Sequence, residues 1–247
     1  MIKIINVCLN CKKTFEVTSK NKHKKFCCHS CANSYTSRQR FTEDESLYNN
    51  GLNHLNAYIM GLIFSDGCLS YDKHSKRFRL TIALNDKDVI QRLHDIWTPN
   101  KSIYQYHRSY SIVINNSYDI KYLKQYGIHE RKSHNIEYPS QLPDKFFGDF
   151  LRGIFDGDGC VYINKAYRDD KLYQYVYCNI ASGSLIFLKQ LQEKLKIYDI
   201  HSTINKDKRS NCYALLIRTK TGVQKLYNLM YKYNELCLLR KKEKFNL

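Results

Sequence analysis

The sequence predicts an α+β protein: two αββαββα halves related by a pseudo-twofold axis, preceded by a small cysteine-rich module. Three observations carry that expectation. The segment Ile59-Met60-Gly61-Leu62-Ile63-Phe64-Ser65-Asp66-Gly67 returns 92 positions later as Leu151-Arg152-Gly153-Ile154-Phe155-Asp156-Gly157-Asp158-Gly159. The residues after each copy run through the same order of helix and strand patterns. Near the N-terminus, Cys8-Leu9-Asn10-Cys11 is followed about 15 residues later by Lys25-Phe26-Cys27-Cys28-His29-Ser30-Cys31.

The elements follow in order. Residues 1–40 form the cysteine- and lysine-rich module, and residues 41–55 read as a polar linker. The first half, 56–137, opens with a helix near 56–66 and strands near 68–73 and 77–84. A helix near 86–97 is capped by Asn85 or Asp86 and closed before Pro99. Strands near 102–107 and 110–115 and a helix near 117–126, ended by Gly127, complete it. The second half, 138–247, repeats the order with a helix at 144–157, strands at 160–165 and 173–181, a helix at 184–196, strands at 201–206 and 212–218, and a helix at 220–232. Lys165 to Lys171 reads as a polar, charged hairpin tip. Arg131-Lys132 closes the first half and Arg240-Lys241 the second.

Within the strands, Phe78, Leu80 and Ile82 alternate with Arg77, Arg79 and Thr81, and Val176, Cys178 and Ile180 alternate with Tyr175, Tyr177 and Asn179. Such period-two alternation describes half-buried strands with one polar face. In a chain with 40 Lys plus Arg against 23 Asp plus Glu, these polar faces are the candidate DNA-reading surface: Ser70, Asp72, Arg77, Arg79 and Thr81 in the first half, and Tyr162, Asn164, Tyr175, Tyr177 and Asn179 in the second. Arg suits guanine in the major groove and Asn suits adenine.

The charge balance agrees with that partner. Forty Lys plus Arg stand against 23 Asp plus Glu, a formal net charge of +17 over 247 residues. A polyanion is the expected partner, double-stranded DNA first. No apolar run of about 18 residues is present, so no membrane span or membrane partner is expected. The N-terminus lacks the apolar core of a secretory signal. Together with ten cysteines in two close pairs and scattered singles, this predicts metal binding plus reduced thiols in place of a secreted disulfide framework.

Gly61 and Gly153 have no side chain, so the two motif helices can approach closely and bring Asp66 and Asp158 together at the base of a saddle. Like carboxylates held close need cations between them. Hard oxygen ligands suit Mg²⁺ and leave room for water and phosphate. These residues resemble the LAGLIDADG homing endonuclease family over about residues 56–245. The second copy, with its lead-in Pro143-Asp144-Lys145-Phe146-Phe147-Gly148-Asp149-Phe150, is very close to the family pattern. The first departs from it in having Phe64 where the motif carries an earlier acidic residue. The resemblance implies the monomeric, double-motif form, with Asp66 and Asp158 as metal ligands and catalytic residues. Lys132 and Lys241 resemble the basic residues beside the metal, where Lys polarises the attacking water or stabilises the pentavalent phosphate. It further implies Mg²⁺-dependent hydrolysis of one phosphodiester in each strand across the minor groove of a long target, leaving 3′ overhangs.

The cysteine spacing is a strong zinc signal. The module resembles small treble-clef fingers, which makes Cys8, Cys11, Cys27 and Cys31 the ligands of a structural Zn²⁺. Cys28 is the alternative fourth ligand, and His29 a weaker one. Lys12, Lys13, Lys20, Lys22, Lys24, Lys25, Arg38 and Arg40 surround it and suggest a DNA tether. Two rival functions remain on the sequence, a non-cleaving DNA-binding regulator of the same fold and an intron RNA maturase, for which intron RNA is the partner. No flanking intein or host domain is visible, so a free-standing or intron-encoded protein is expected. The Lys-, Asn-, Ile- and Tyr-rich composition points to an AT-rich phage or bacterium, hence the cytoplasm, with an organelle as the alternative.

Overall fold

Two five-residue strands, β1 (Lys3–Val7) and β2 (Thr14–Thr18), pair antiparallel, and helix α1 (His29–Gln39) follows them. They belong to the smaller of two compact units, Met1–Asn49; the larger is Asn50–Leu247. The computed structural model describes residues 3–39, 46–168, 171–207, 211–233 and 236–245. Arg40 and the first five residues of the linker, 41–45, lie outside the described residues, as does the side chain of Arg38.

In the larger unit, α2 (His54–Asp66) starts at a reciprocal cap. The Asn53 side chain accepts from the Asn56 amide at 2.9 Å, and the Asn56 side chain accepts from the Asn53 amide at 2.7 Å. Two of the unpaired amides of a helix start are thereby satisfied. The strands β3 (Gly67–Asp72) and β4 (Arg77–Leu84) follow, then α3 (Lys87–Trp97), β5 (Tyr104–Tyr106), β6 (Ser109–Ile114) and α4 (Ser117–Gln125). The second half enters through a 3-10 turn, Asp144–Phe146, and continues as α5 (Phe147–Asp158), β7 (Gly159–Arg168), β8 (Lys171–Ser182), α6 (Leu185–Ile197), β9 (Thr203–Lys206), β10 (Tyr213–Ile217) and α7 (Lys220–Met230). A short α8 (Leu239–Lys242) and a 3-10 turn, Glu243–Phe245, follow.

Each half has one four-stranded antiparallel sheet, ordered β3-β4-β6-β5 and β7-β8-β10-β9. Position for position these are the same topology, as the repeat predicts. The expected charged tip at Lys165–Lys171 differs: the ladder continues through Lys165↔Gln174, Tyr167↔Leu172 and Arg168↔Lys171. Tyr167, Leu172 and Tyr173 favour extended backbone; residues 169–170 lie outside the described residues.

The core lies between the sheets' inner faces and the helices. Leu80 and Ile82 in the first half, and Cys178 and Ile180 in the second, are fully buried. At the centre α2 and α5 pack against each other more extensively than any other helix pair. Residues Asn56 to Phe64 are buried without a break, so α2 is apolar all round. A Cβ on Gly61 would overlap the Phe150 carbonyl oxygen, and one on Gly153 the Tyr58 carbonyl oxygen. Backbone thus touches backbone at the crossing, and only glycine permits it.

Candidate functional site

The close crossing of α2 and α5 delivers their last residues, Asp66 and Asp158, to the same end of the helix pair. A Cβ on Gly157 would strike Asp66 Oδ2 and Ser65 Oγ, so the Asp66 carboxylate lies against the partner helix one residue before Asp158. Asp66 Oδ2 is buried and accepts no hydrogen bond. Burial raises both acids above the usual carboxylate range. Asp158, exposed at its edge but with protein around most of it, is pushed up to about 6, first by desolvation and then by the charge of Asp66. An orphaned buried oxygen beside a second carboxylate suits a bound divalent cation.

The closing residues of each half reach the helix ends. Lys132, in the 3-10 turn Lys132–His134, is buried and donates to Phe64 O at 2.7 Å and Ser65 O at 3.2 Å. Lys241, in α8, donates to Phe155 O at 3.0 Å, Asp156 O at 2.6 Å and Gly157 O at 3.0 Å. Each ammonium satisfies carbonyls that a helix C-terminus leaves unpaired, at the negative end of its dipole. Burial lowers both lysine pKa values, and the Asp66 charge opposes that in each case. The arrangement is not symmetric: all three Lys241 protons are committed, while Lys132 bonds two carbonyls.

Each closing segment is also held by the opposite half. Arg240 donates to both oxygens of Asp86, at 2.6 and 2.8 Å. This explains why Asp86, the N-cap of α3, makes no side-chain cap bond. In the other direction Ser184 Oγ, at the start of α6, donates to Ile136 O at 2.7 Å. A cleft of about 310 Å³ opens beside the first carboxylate, lined by Asp66, Asn85, Asp86, Ser109, Gly157 and Arg240.

Behind the centre lies a buried network that the motif reading did not single out. Asp149 pairs with Arg152 at 2.8 Å and with His54 Nδ1 at 2.7 Å. Arg152 donates to Leu236 O, Met230 O and Tyr233 O. Asp156 accepts from Tyr58 Oη at 2.9 Å and the Leu238 amide at 2.8 Å, and burial pushes its carboxyl up to about 6. Phe64, the apolar counterpart of Asp156, has no such bonds to make. Only the carboxylate at 156 and the Arg inside an apolar run hinted at this network in the sequence.

The ten strand positions named above share the outer faces of the two sheets. In the ladders, Ser70 opposes Arg79, Asp72 opposes Arg77, Tyr162 opposes Tyr177, and Asn164 opposes Tyr175. Hydrogen bonds from the Ser75 side chain, and from the His74 and Ser75 amides, hold the Asp72 carboxyl below the usual range and tie it to the turn. Thr81 and Asn179 lie one rung nearer the carboxylates.

In the smaller unit the Cys8, Cys11, Cys27 and Cys31 sulfurs all lie within 4.8 Å of one another. The Cys11–Cys27 and Cys27–Cys31 separations are 3.7 and 3.5 Å. Tetrahedral zinc with bonds of about 2.3 Å sets its sulfurs about 3.8 Å apart, so this cluster can hold a zinc ion. Cys28 is exposed and outside the four. The loops are tied by Asn6 Nδ2, which donates to Lys22 O and Lys24 O.

Comparison with known proteins agrees with this geometry. A family model described as LAGLIDADG-like domain matches residues 148–230, and one described as WhiA LAGLIDADG-like domain matches residues 55–129. The chain therefore carries two LAGLIDADG-like domains, one in each half. Among solved structures, the I-LtrWI LAGLIDADG homing endonuclease bound to target DNA superposes with a TM-score of 0.58 at 13% identity, covering 78% of this chain and 88% of that one. The I-SmaMI LAGLIDADG homing endonuclease bound to cleaved DNA gives 0.56 at 14% identity, covering 79% and 87%. A probable translation initiation factor IF-2 of Methanocaldococcus jannaschii is 28% identical over 190 residues, 72% of this chain. This chain spans only 15% of that protein's length. Among the described residues no helix is long and apolar enough to cross a membrane.

Proposed function

We propose that the protein is a site-specific DNA endonuclease that acts as a monomer and uses Asp66 and Asp158 to make a double-strand break. The observation that carries the reading is the pair of carboxylates at the joined ends of α2 and α5, one of them with a buried, unpartnered oxygen. Mg²⁺ bound there would supply Lewis-acid activation of water and neutralise charge on the phosphate. Asp66 and Asp158 would hold it. Lys132 and Lys241 fix the two helix ends and add positive field to the cleft, and Lys132 has a proton left for a water or phosphate oxygen. We take 56–137 and 138–247 as the two DNA-binding halves and 1–40 as a zinc-bearing tether, joined by 41–55. The relatives I-LtrWI and I-SmaMI are bound to DNA in their structures, the latter in one case with calcium ions, and the double-motif fold supports the same partner here.

A non-cleaving DNA-binding role is the second reading, favoured by the WhiA-like match of the first half. Incubation with a pool of long randomised duplexes and Mg²⁺ separates the two, with Asp158→Asn as control. Cut duplexes recovered only with the wild-type protein support the endonuclease. Retention of specific duplexes without cutting supports the regulator. Stimulation of intron splicing with neither would point to the RNA role.

A further inference from the structure

We propose that the two sheets read their half-sites by different chemistry: the first through arginines against guanine, the second through an uncharged tyrosine wall against an A·T-rich stretch rich in thymine methyls. The inference rests on the DNA-binding reading above and concerns what that surface selects.

The ladders fix which positions correspond. Gly67 pairs with Ile82 in the first sheet, and Gly159 with Ile180 in the second. Counting back from these matched rungs sets Thr81 against Asn179, Arg79 against Tyr177, and Arg77 against Tyr175. On the partner strands Ser70 corresponds to Tyr162 and Asp72 to Asn164. Each arginine of the first face is thus replaced by a tyrosine in the second.

The two faces are organised accordingly. In the first, Asp72 stands 3.7 Å from Arg79 and is itself held by two backbone amides. That arrangement restrains the Arg79 guanidinium, whose fork matches the O6 and N7 acceptors of guanine. In the second, the Tyr173, Tyr175 and Tyr177 rings stack along β8 at 6.5 Å centroid spacing, with planes 18° and 3° apart. Asn179 Nδ2 donates to Tyr162 Oη at 3.4 Å. The neighbouring outer positions on β9 and β10 are Thr203, Asn205, Ala214 and Leu216. From Tyr173 to Ala181, and across these neighbours, the face carries no charged side chain. Among the described side chains, charge lies at its margins, at Lys171 near the hairpin and at the exposed Arg218, two residues beyond Leu216.

Rigid aromatic plates cost little ordering entropy and offer apolar edges with a hydroxyl tip. A thymine methyl is the apolar feature of the major groove, and Asn is the side chain that matches adenine. Such a face offers guanine's two acceptors only hydroxyls and amides, with no guanidinium fork, and along the tyrosine row it has no cation to release counterions.

The test is selection of cleaved targets from a randomised duplex library, followed by binding measurements on the selected site. The wild-type profile should place guanines at one end and A·T pairs at the other. Arg77→Ala and Arg79→Ala should relax the guanine end alone; an equal loss on every sequence with a flatter salt dependence would make them phosphate contacts and overturn the assignment. Tyr175→Ala should relax the A·T end and leave the salt slope unchanged, and Tyr175→Phe should retain most of the affinity. Replacing thymine by uracil at the A·T end removes methyls without changing base pairing. It should weaken binding about fourfold per contacted methyl, and the same replacement at the guanine end should have no effect. A site with equal guanine content at both ends, or indifference to uracil at the A·T end, overturns the inference while leaving the endonuclease reading intact. Absence of any selected or bound duplex overturns both.

Discussion

At the scale of single residues, the site is governed by burial of like charges. Asp158 sits near 6 because desolvation and Asp66 both disfavour its ionised form. A metal ion needs that ionised form. Cleavage at fixed Mg²⁺ should therefore fall as pH drops through about 6, and a rate–pH profile of the wild-type protein checks this. The stability consequence has the opposite sense. A carboxyl whose folded pKa is raised binds protons that the unfolded chain has already lost, so metal-free stability should decline as pH rises from about 4 to about 6. Asp156, also near 6, adds to that decline. Urea midpoints across this range should show it, and Asp156→Asn should reduce it. Lys241 is committed to three carbonyls. Lys241→Met should cost about 1–3 kcal/mol of stability by leaving buried acceptors unpaired, read from urea denaturation, and should slow cleavage by displacing the end of α5.

At the scale of elements, α2 and α5 do the organising. Gly153→Ala would drive a methyl into the Tyr58 carbonyl. Overpacking against backbone that cannot retreat should cost about 1–3 kcal/mol or more. Arg152→Ala would leave the buried Asp149 carboxylate with His54 alone and strand three carbonyls, a loss of about 3–5 kcal/mol; denaturation midpoints measure both. Much of this level was legible in advance. The glycines, the terminal Asp residues and the strand phases are written in local periodicity, and every predicted helix and strand of the two halves formed within a few residues of its expected place. What stayed illegible depends on contacts between distant segments. Asp86 looked like an ordinary helix cap, yet its partner Arg240 lies 154 positions away. Arg152 looked like a variation inside an apolar motif, and nothing local announces three backbone carbonyls from 230–236 around it. The span Lys165–Lys171 was polar enough to pass for a loop, but its tyrosines extend the ladder instead.

At the scale of the whole molecule, the chain joins two units with different sources of stability. The larger has its own core. The smaller, Met1–Asn49, has few buried apolar residues, Cys8 and Val17 among them, and its four sulfurs are spaced for a metal. Small modules of this kind fold with their ion. Purified protein should contain about one zinc per chain by elemental analysis, and Cys11→Ser should release it and unfold this unit alone, with the larger unit keeping its thermal transition. Deleting 1–40 should lower DNA affinity and flatten its salt dependence if the lysines touch phosphate. The central claim concerns the larger unit and is tested most directly by mapping cuts on a selected duplex with Mg²⁺, for wild type, Asp66→Asn and Asp158→Asn, with binding measured in parallel. The two-carboxylate centre predicts double-strand cutting by the wild type alone, with binding retained in both variants. Wild-type cutting rates in either variant would contradict it.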